Sequence, residues 1–368
     1  MQRIYRSARL ALPVLFLAYG GFATAYMLRE GHLVVQATDT ALSGGLTTQI
    51  DAVYRDDLPL RDVAVGLVGA TRYHLIGEGR PGVLAGQDGW LFTAEEAEEM
   101  AEDMAQPVAR IAALRDQLAA MGTELVLVPL PAKTDIEATR AANPGLSRVL
   151  AQRHAAFLQA LNDKGVPAVD IRPVMLALGP HSQAFYATDT HWTAEGAAAA
   201  AGVVAADLQA RGLAPDAQAY AQTLDPAEGF TGDLVSFVTT PRFAQLVGLD
   251  PETATPIRAV AAAPDDLSAT DLFGGSTGGG IALVGTSYSA NARWSFADSL
   301  ILALGADVVN HAEEGQGPVR PVYAMLADPA FTGAPPAVVI WEFPIRFLAD
   351  PTIWDPQTPT PEGSDHDT

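Results

Sequence analysis

Apolar residues alternate between unbroken runs and periodic stretches along the chain. Leu10 to Leu28 carries no charge and follows Arg3, Arg6 and Arg9. One membrane-spanning helix needs roughly 20 apolar residues, and the basic flank directs everything after Arg29 out of the cytoplasm. Segment 1–29 therefore reads as an inner-membrane anchor with a periplasmic remainder. Ala23-Thr24-Ala25 also fits a small-x-small cleavage site, so export after cutting near Ala25 is the alternative.

Residues 30–80 form a mixed lead-in with weak periodicity. Asp88-Gly89 before Trp90-Leu91-Phe92 signals a turn into a strand. A helical pattern opens at Ala94 with Glu95, Glu96, Glu98 and Glu99 at the dipole-favoured end, and Gly122 stops it after Met121. Leu125–Leu130 predicts a buried strand, Leu146–Leu161 a helix and Val166–Ile171 a short strand. Thr193 can cap an alanine-rich helix running to Gly212. Residues 213–278, rich in Pro, Gly and Asp, read as a loop-rich insertion. Ile281–Gly285 is the next strand, and Ser289–Leu304 a helix ended by Gly305. Asp307–Asn310 and Ala337–Glu342 complete the strands. Strands alternating with helices predict an α/β sandwich with a mainly parallel sheet over residues 81–348. The Pro-, Thr- and Asp-rich tail, 349–368, is expected to be disordered.

Charge narrows the function. The chain has 43 acidic and 22 basic residues, a net charge of −21. Nucleic acid is not an expected partner, because duplex binding needs a basic surface. With no cysteine, disulfides, thiolate metal sites and a cysteine nucleophile are excluded.

Two segments carry candidate chemistry. Gly285-Thr286-Ser287-Tyr288-Ser289 lies where a buried strand meets a helix, the sheet edge at which open α/β folds place ligands. Backbone N–H groups at the helix start can hold an oxyanion. The competing reading is a plain helix cap, and Ser289 departs from the G-x-S-x-G elbow. In Asp189-Thr190-His191-Trp192-Thr193, residues two apart face one side of an extended segment. The carboxylate can then orient the imidazole, and the imidazole can take a serine proton. An Asx turn competes. Asp189 and His191 are also metal-ligand types, but without further clustered ligands in the sequence no metal is expected, and no cofactor. His311, after a strand end, is the rival base. Lys133, following Pro129-Leu130-Pro131-Ala132, could bind an anionic or carbonyl group or simply be a solvated loop lysine. Arg346, after Trp341-Glu342-Phe343-Pro344, could clamp substrate or pair with a carboxylate.

Together these segments resemble the SGNH-hydrolase-like domain of the alginate O-acetyltransferases, the AlgJ and AlgX group. Matches run from Asp88-Gly89-Trp90-Leu91-Phe92 through Pro129–Lys133, Asp189–Thr193 and Gly285–Asn291 to Arg346. The resemblance implies a three-layer sandwich and a triad of Ser287 nucleophile, His191 base and Asp189 orienting carboxylate. Substrate contacts would fall to Lys133, Tyr288, Asn291 and Arg346. It implies acetyl groups delivered across the membrane by a membrane-bound O-acyltransferase partner and placed on an exopolysaccharide acceptor. Ending soon after Arg346, the chain looks closer to the AlgJ branch. A carbohydrate acetylesterase with the same triad, and a non-catalytic scaffold of an acetylation and export complex, are the alternatives. The strong acidity sits poorly with a polyuronate acceptor, so the acceptor is written as an exopolysaccharide.

Overall fold

The computed structural model describes residues 2–31, 45–56, 58–100, 104–178, 183–262 and 280–355. The chain divides into two compact units, Met1–Thr71 and Arg72–Thr368. The first holds α1 (Gln2–Glu30), α2 (Gly45–Asp56) and most of α3 (Arg61–Ile76), whose last turn falls in the second, so the described part of the lead-in is largely helical. Ala23 and Met27, one turn apart on α1, are fully buried. The Thr24 hydroxyl donates to Gly20 O and meets Tyr54 Oη at 2.7 Å. Among the described residues no helix is long and apolar enough to cross a membrane; Pro13, Gly20, Gly21 and Thr24 dilute the apolar run of α1.

The second unit continues with an antiparallel pair, β1 (Val83–Ala85) and β2 (Leu91–Thr93). Next come α4 (Ala105–Ala120), β3 (Glu124–Leu130), α5 (Lys133–Ile136), α6 (Pro144–Asp163), α7 (Arg172–Ala177) and α8 (Ala194–Ala210). Two more antiparallel pairs follow, β4 (Tyr220–Leu224) with β7 (Ile257–Ala261) and β5 (Glu228–Phe230) with β6 (Glu252–Ala254), the short α9 (Pro241–Ala244) lying between. The chain closes with β8 (Ile281–Val284), α10 (Ser287–Ala290), α11 (Phe296–Leu304), β9 (Val308–Asn310), α12 (Arg320–Ala327), α13 (Pro329–Gly333) and β10 (Val338–Pro344).

β3, β10, β8 and β9 form one parallel sheet in that order. Both faces are covered, so its strands read as continuous apolar runs. Val126, Val128, Leu283 and Ile340 point to one core with Ala197, Ala201 and Val204 of α8 and Leu300 of α11. Leu125, Leu127, Val284 and Trp341 point to the other, with Ile111 of α4, Phe157 of α6 and Met325 of α12. The result is the expected three-layer α/β sandwich. The alanines of α8 let α11 pack close, and Thr193 caps α8 by accepting from Gly196 N.

Several elements differ from the sequence pattern. The stretch 94–121 is a 3-10 turn (Ala94–Ala97) and then α4, because Glu96 folds inward to accept from Lys133 N and Thr134 N at 2.8 and 2.9 Å. Val166–Ile171 makes only a single bridge, Ala168 with Leu127. The stretch 289–304 breaks twice. Asn291 leaves helical geometry and its side chain accepts from Arg293 N, the local bonding by which Asn competes with a helix. Ser295 takes φ +66°, and its hydroxyl accepts from Ile257 N. Of 213–278, residues 213–262 hold four strands, and 263–278 lie outside the described residues. The expected disordered tail begins instead with a short 3-10 turn, Pro351–Trp354, whose Trp354 is buried against Trp341 and Phe343; residues 356–368 lie outside the described residues.

Candidate active site

Ser287 opens α10 directly after β8 and is half-buried. His191 lies in the turn that leads into α8, its side chain 14% exposed. His191 Nε2 lies 2.8 Å from Ser287 Oγ, and its Nδ1 lies 2.7 Å from Asp189 Oδ1. The same carboxylate oxygen accepts from the His191 backbone N at 2.9 Å, so Asp189 fixes both ring and main chain. Burial pushes the Asp189 carboxyl up, but the adjacent imidazole and the hydrogen bonds from His191 and Asp233 outweigh it and hold it below the usual carboxylate range. Trp294 stacks flat on the imidazole, 4.6 Å between centroids at 15°, and Tyr288 covers it from another side. The turn that breaks the 289–304 helix is what delivers Trp294 to this position.

The loop carrying Asp189 is held from three directions. Lys133, 2% exposed, donates to the carbonyls of Leu91, Ala187 and Asp189 at 2.6, 3.0 and 2.8 Å. Asp233 donates its backbone N–H to Asp189 Oδ2 at 3.0 Å, and its carboxylate accepts from Thr190 N and Oγ1 at 2.8 and 2.5 Å. Glu252 accepts from Thr188 N and Oγ1 at 2.6 and 2.9 Å. Gly232 makes this approach possible, since a Cβ there would lie 2.3 Å from Thr188 O.

The four residues expected to contact substrate all make bonds within the scaffold. All three N–H bonds of the Lys133 ammonium go to main-chain carbonyls, so none remains for an anionic ligand. Tyr288, also buried, donates its hydroxyl to Thr190 O at 2.6 Å and accepts from Arg346 Nη1 at 2.9 Å. Burial raises its pKa, which keeps the phenol a neutral donor. Arg346 pairs with Glu95 at 2.8 Å, the carboxylate alternative of its two readings. Asn291 uses its carbonyl oxygen as a cap. His311 packs its ring against Phe331, and the hydrogen bond to Ser287 belongs to His191. Asp233, Glu252 and Trp294 escape sequence reasoning: they reach the Asp–His loop from 40 or more residues away, and no local motif marks them.

Asp189, His191 and Asp233 offer ligand-type atoms within 4.8 Å of one another. Each of those atoms already has a protein hydrogen-bond partner, so the donor set fits a proton relay better than an ion, which would have to break the His191–Asp189 bond. A cavity of about 550 Å³, lined by Arg80, Phe92, Thr134 and Leu146 among others, contains no member of the relay.

Residues 83–345 match the family described as an SGNH hydrolase-like domain, acetyltransferase AlgX. A protein of Pseudomonas syringae pv. tomato named "Probable alginate O-acetylase AlgJ" is 34% identical over 93% of this chain and 89% of its own length. The alginate biosynthesis protein AlgX of Pseudomonas aeruginosa is 30% identical over 71% of this chain and 55% of its own. Among solved structures, the O-acetyltransferase domain of Pseudomonas putida AlgJ superposes with a TM-score of 0.63 at 33% identity, covering 73% of this chain and 93% of that one.

Proposed function

The chain belongs to the SGNH hydrolase-like acetyltransferase family of AlgX and AlgJ and is closer to AlgJ, and from that premise we propose that it O-acetylates an exopolysaccharide through an acetyl-Ser287 intermediate. The carrying observation is the unbroken chain of hydrogen bonds from Ser287 Oγ through His191 to Asp189. Ser287 Oγ attacks the carbonyl carbon of an acetyl donor while His191 Nε2 takes the hydroxyl proton. The Ser287 backbone N–H, at the start of α10 where amides lack intrahelical partners, holds part of the oxyanion charge. Collapse expels the donor's leaving group, which receives the proton from His191. A sugar hydroxyl then attacks the acetyl-serine, gives its proton to Nε2, and leaves as the acetyl ester while the proton returns to Ser287. Asp189 holds the imidazole tautomer with Nδ1 as donor throughout.

Relatives are named for alginate, which makes alginate the first acceptor to test. The acetyl donor is supplied, on this reading, by a membrane-bound O-acyltransferase partner. The protein works in the periplasm, exported behind its basic N-terminal flank and either held at the inner membrane by the outward apolar side chains of α1, without α1 having to span it, or released after cutting near Ala25. Val14, Phe16, Leu17 and Phe22 turn outward from α1, which supports the anchor. The direct test follows acetyl transfer from an activated ester to a defined alginate oligosaccharide by mass spectrometry. Wild type should add acetyl groups, and Ser287→Ala should lose transfer by about 10³-fold or more. Equal transfer by the variant would refute the mechanism.

A further inference from the structure

We propose that Glu342 is the positioning residue for the nucleophile, holding the Thr286–Ser289 turn so that the Ser287 hydroxyl meets His191. The inference rests on Ser287 being the nucleophile. In the sheet Trp341 of β10 is level with Val284 of β8, which brings Glu342 beside Gly285 and Thr286. Its side chain is fully buried. Oε2 accepts from Thr286 N at 3.0 Å and from Ser289 Oγ at 2.7 Å, and Oε1 accepts from Thr286 Oγ1 at 2.9 Å. These donors stand on both sides of Ser287 in the sequence.

Gly285 is the opening through which the carboxylate reaches them. A Cβ at that position would lie 2.6 Å from Glu342 O and 2.6 Å from Glu342 Oε2. A carboxylate at the centre of a parallel sheet is costly to bury, and an apolar side chain of similar volume often serves stability as well or better. What an apolar residue cannot do is accept three hydrogen bonds from one turn. A nucleophile displaced by about 1 Å loses about 10²-fold in rate, and this turn is only four residues of helix, too short to hold itself. Trp341-Glu342 thus divides its work: Trp341 packs the core, and Glu342 sets the geometry of the residue that reacts.

The test measures acetyl-serine formation from an activated acetyl ester, with kcat and KM separated and thermal melts alongside, in Glu342→Ala, Glu342→Gln, Thr286→Val/Ser289→Ala and Ser287→Ala. Glu342→Ala should lose about 10²-fold in kcat with KM for the ester within about twofold of wild type. A Gln carbonyl can still accept from Thr286 N and Ser289 Oγ while its amide donates to Thr286 Oγ1. Glu342→Gln should therefore recover to within about tenfold of wild type. The double variant leaves Glu342 in place, removes two of its three donors and decides the matter if Glu342→Ala does not fold; its kcat should fall about tenfold. Wild-type kcat in folded Glu342→Ala or in the double variant, with Ser287→Ala silent, overturns this proposal alone. Adduct formation by Ser287→Ala overturns it together with the assignment of the nucleophile.

Discussion

Lys133 serves the site without meeting substrate. Its ammonium lies 5.2 Å from the ring centroids of both Trp90 and Phe92 and is held by three carbonyls, one of them that of Asp189. Burial lowers its pKa to about 8, against the pull of Asp189 and other nearby carboxylates. The folded chain therefore binds this proton more weakly than the unfolded chain does. Keeping Lys133 charged costs about 3 kcal/mol of stability below pH 8, and that cost fades between pH 8 and 10.5. Activity should run the other way, because deprotonation removes a donor from the Asp189 loop. Lys133→Met takes the titrating group away. Denaturant melts should show the stability of wild type relative to this variant rising with pH across that window, while wild-type activity declines above about pH 8. A relative stability that falls over the same window would contradict the account.

At the scale of elements, the segment between α8 and β8 acts as a clamp on the Asp–His loop. Asp233 and Glu252 bind the Thr residues that flank Asp189, and Asp233 also donates to the Asp189 carboxylate through its backbone. Asp233→Ala removes both bonds to Thr190 and spares the backbone bond. We expect a stability loss of about 1–3 kcal/mol by melt and a larger proportional fall in kcat than in ester affinity; unchanged kcat would show that the clamp is not needed. This clamp also marks the limit of what the sequence reveals. Asp189 and His191 are legible because they stand two apart before a capped helix, and Ser287 because it ends a buried apolar run. Asp233 and Glu252 are not, since their partners are chosen by tertiary folding. The breaks at Asn291 and Ser295 are likewise hidden: apolar periodicity runs through them, and side-chain bonds to the backbone decide the outcome. Lys133 and Arg346 are visible as candidates, but only the fold reveals that every Lys133 donor is engaged by a main-chain carbonyl and that Arg346 holds Glu95 and Tyr288.

On the scale of the whole molecule, the α/β alternation brings three distant segments to one sheet edge. β3 leads to Lys133, β8 to Ser287 and β10 to Glu342 and Arg346, while the turn before α8 brings Asp189 and His191. The parallel sheet, covered on both faces, is the rigid frame that holds His191 and Ser287, 96 residues apart in sequence, in contact at 2.8 Å. Everything proposed for the chemistry depends on Ser287 carrying the acetyl group. The most direct measurement is the intact mass of the full chain after exposure to an activated acetyl ester, wild type beside Ser287→Ala. The account predicts one acetyl adduct on wild type, discharged when acceptor polysaccharide is added, and none on the variant. An equal adduct on both, or turnover of the ester with Ser287 absent, would contradict it.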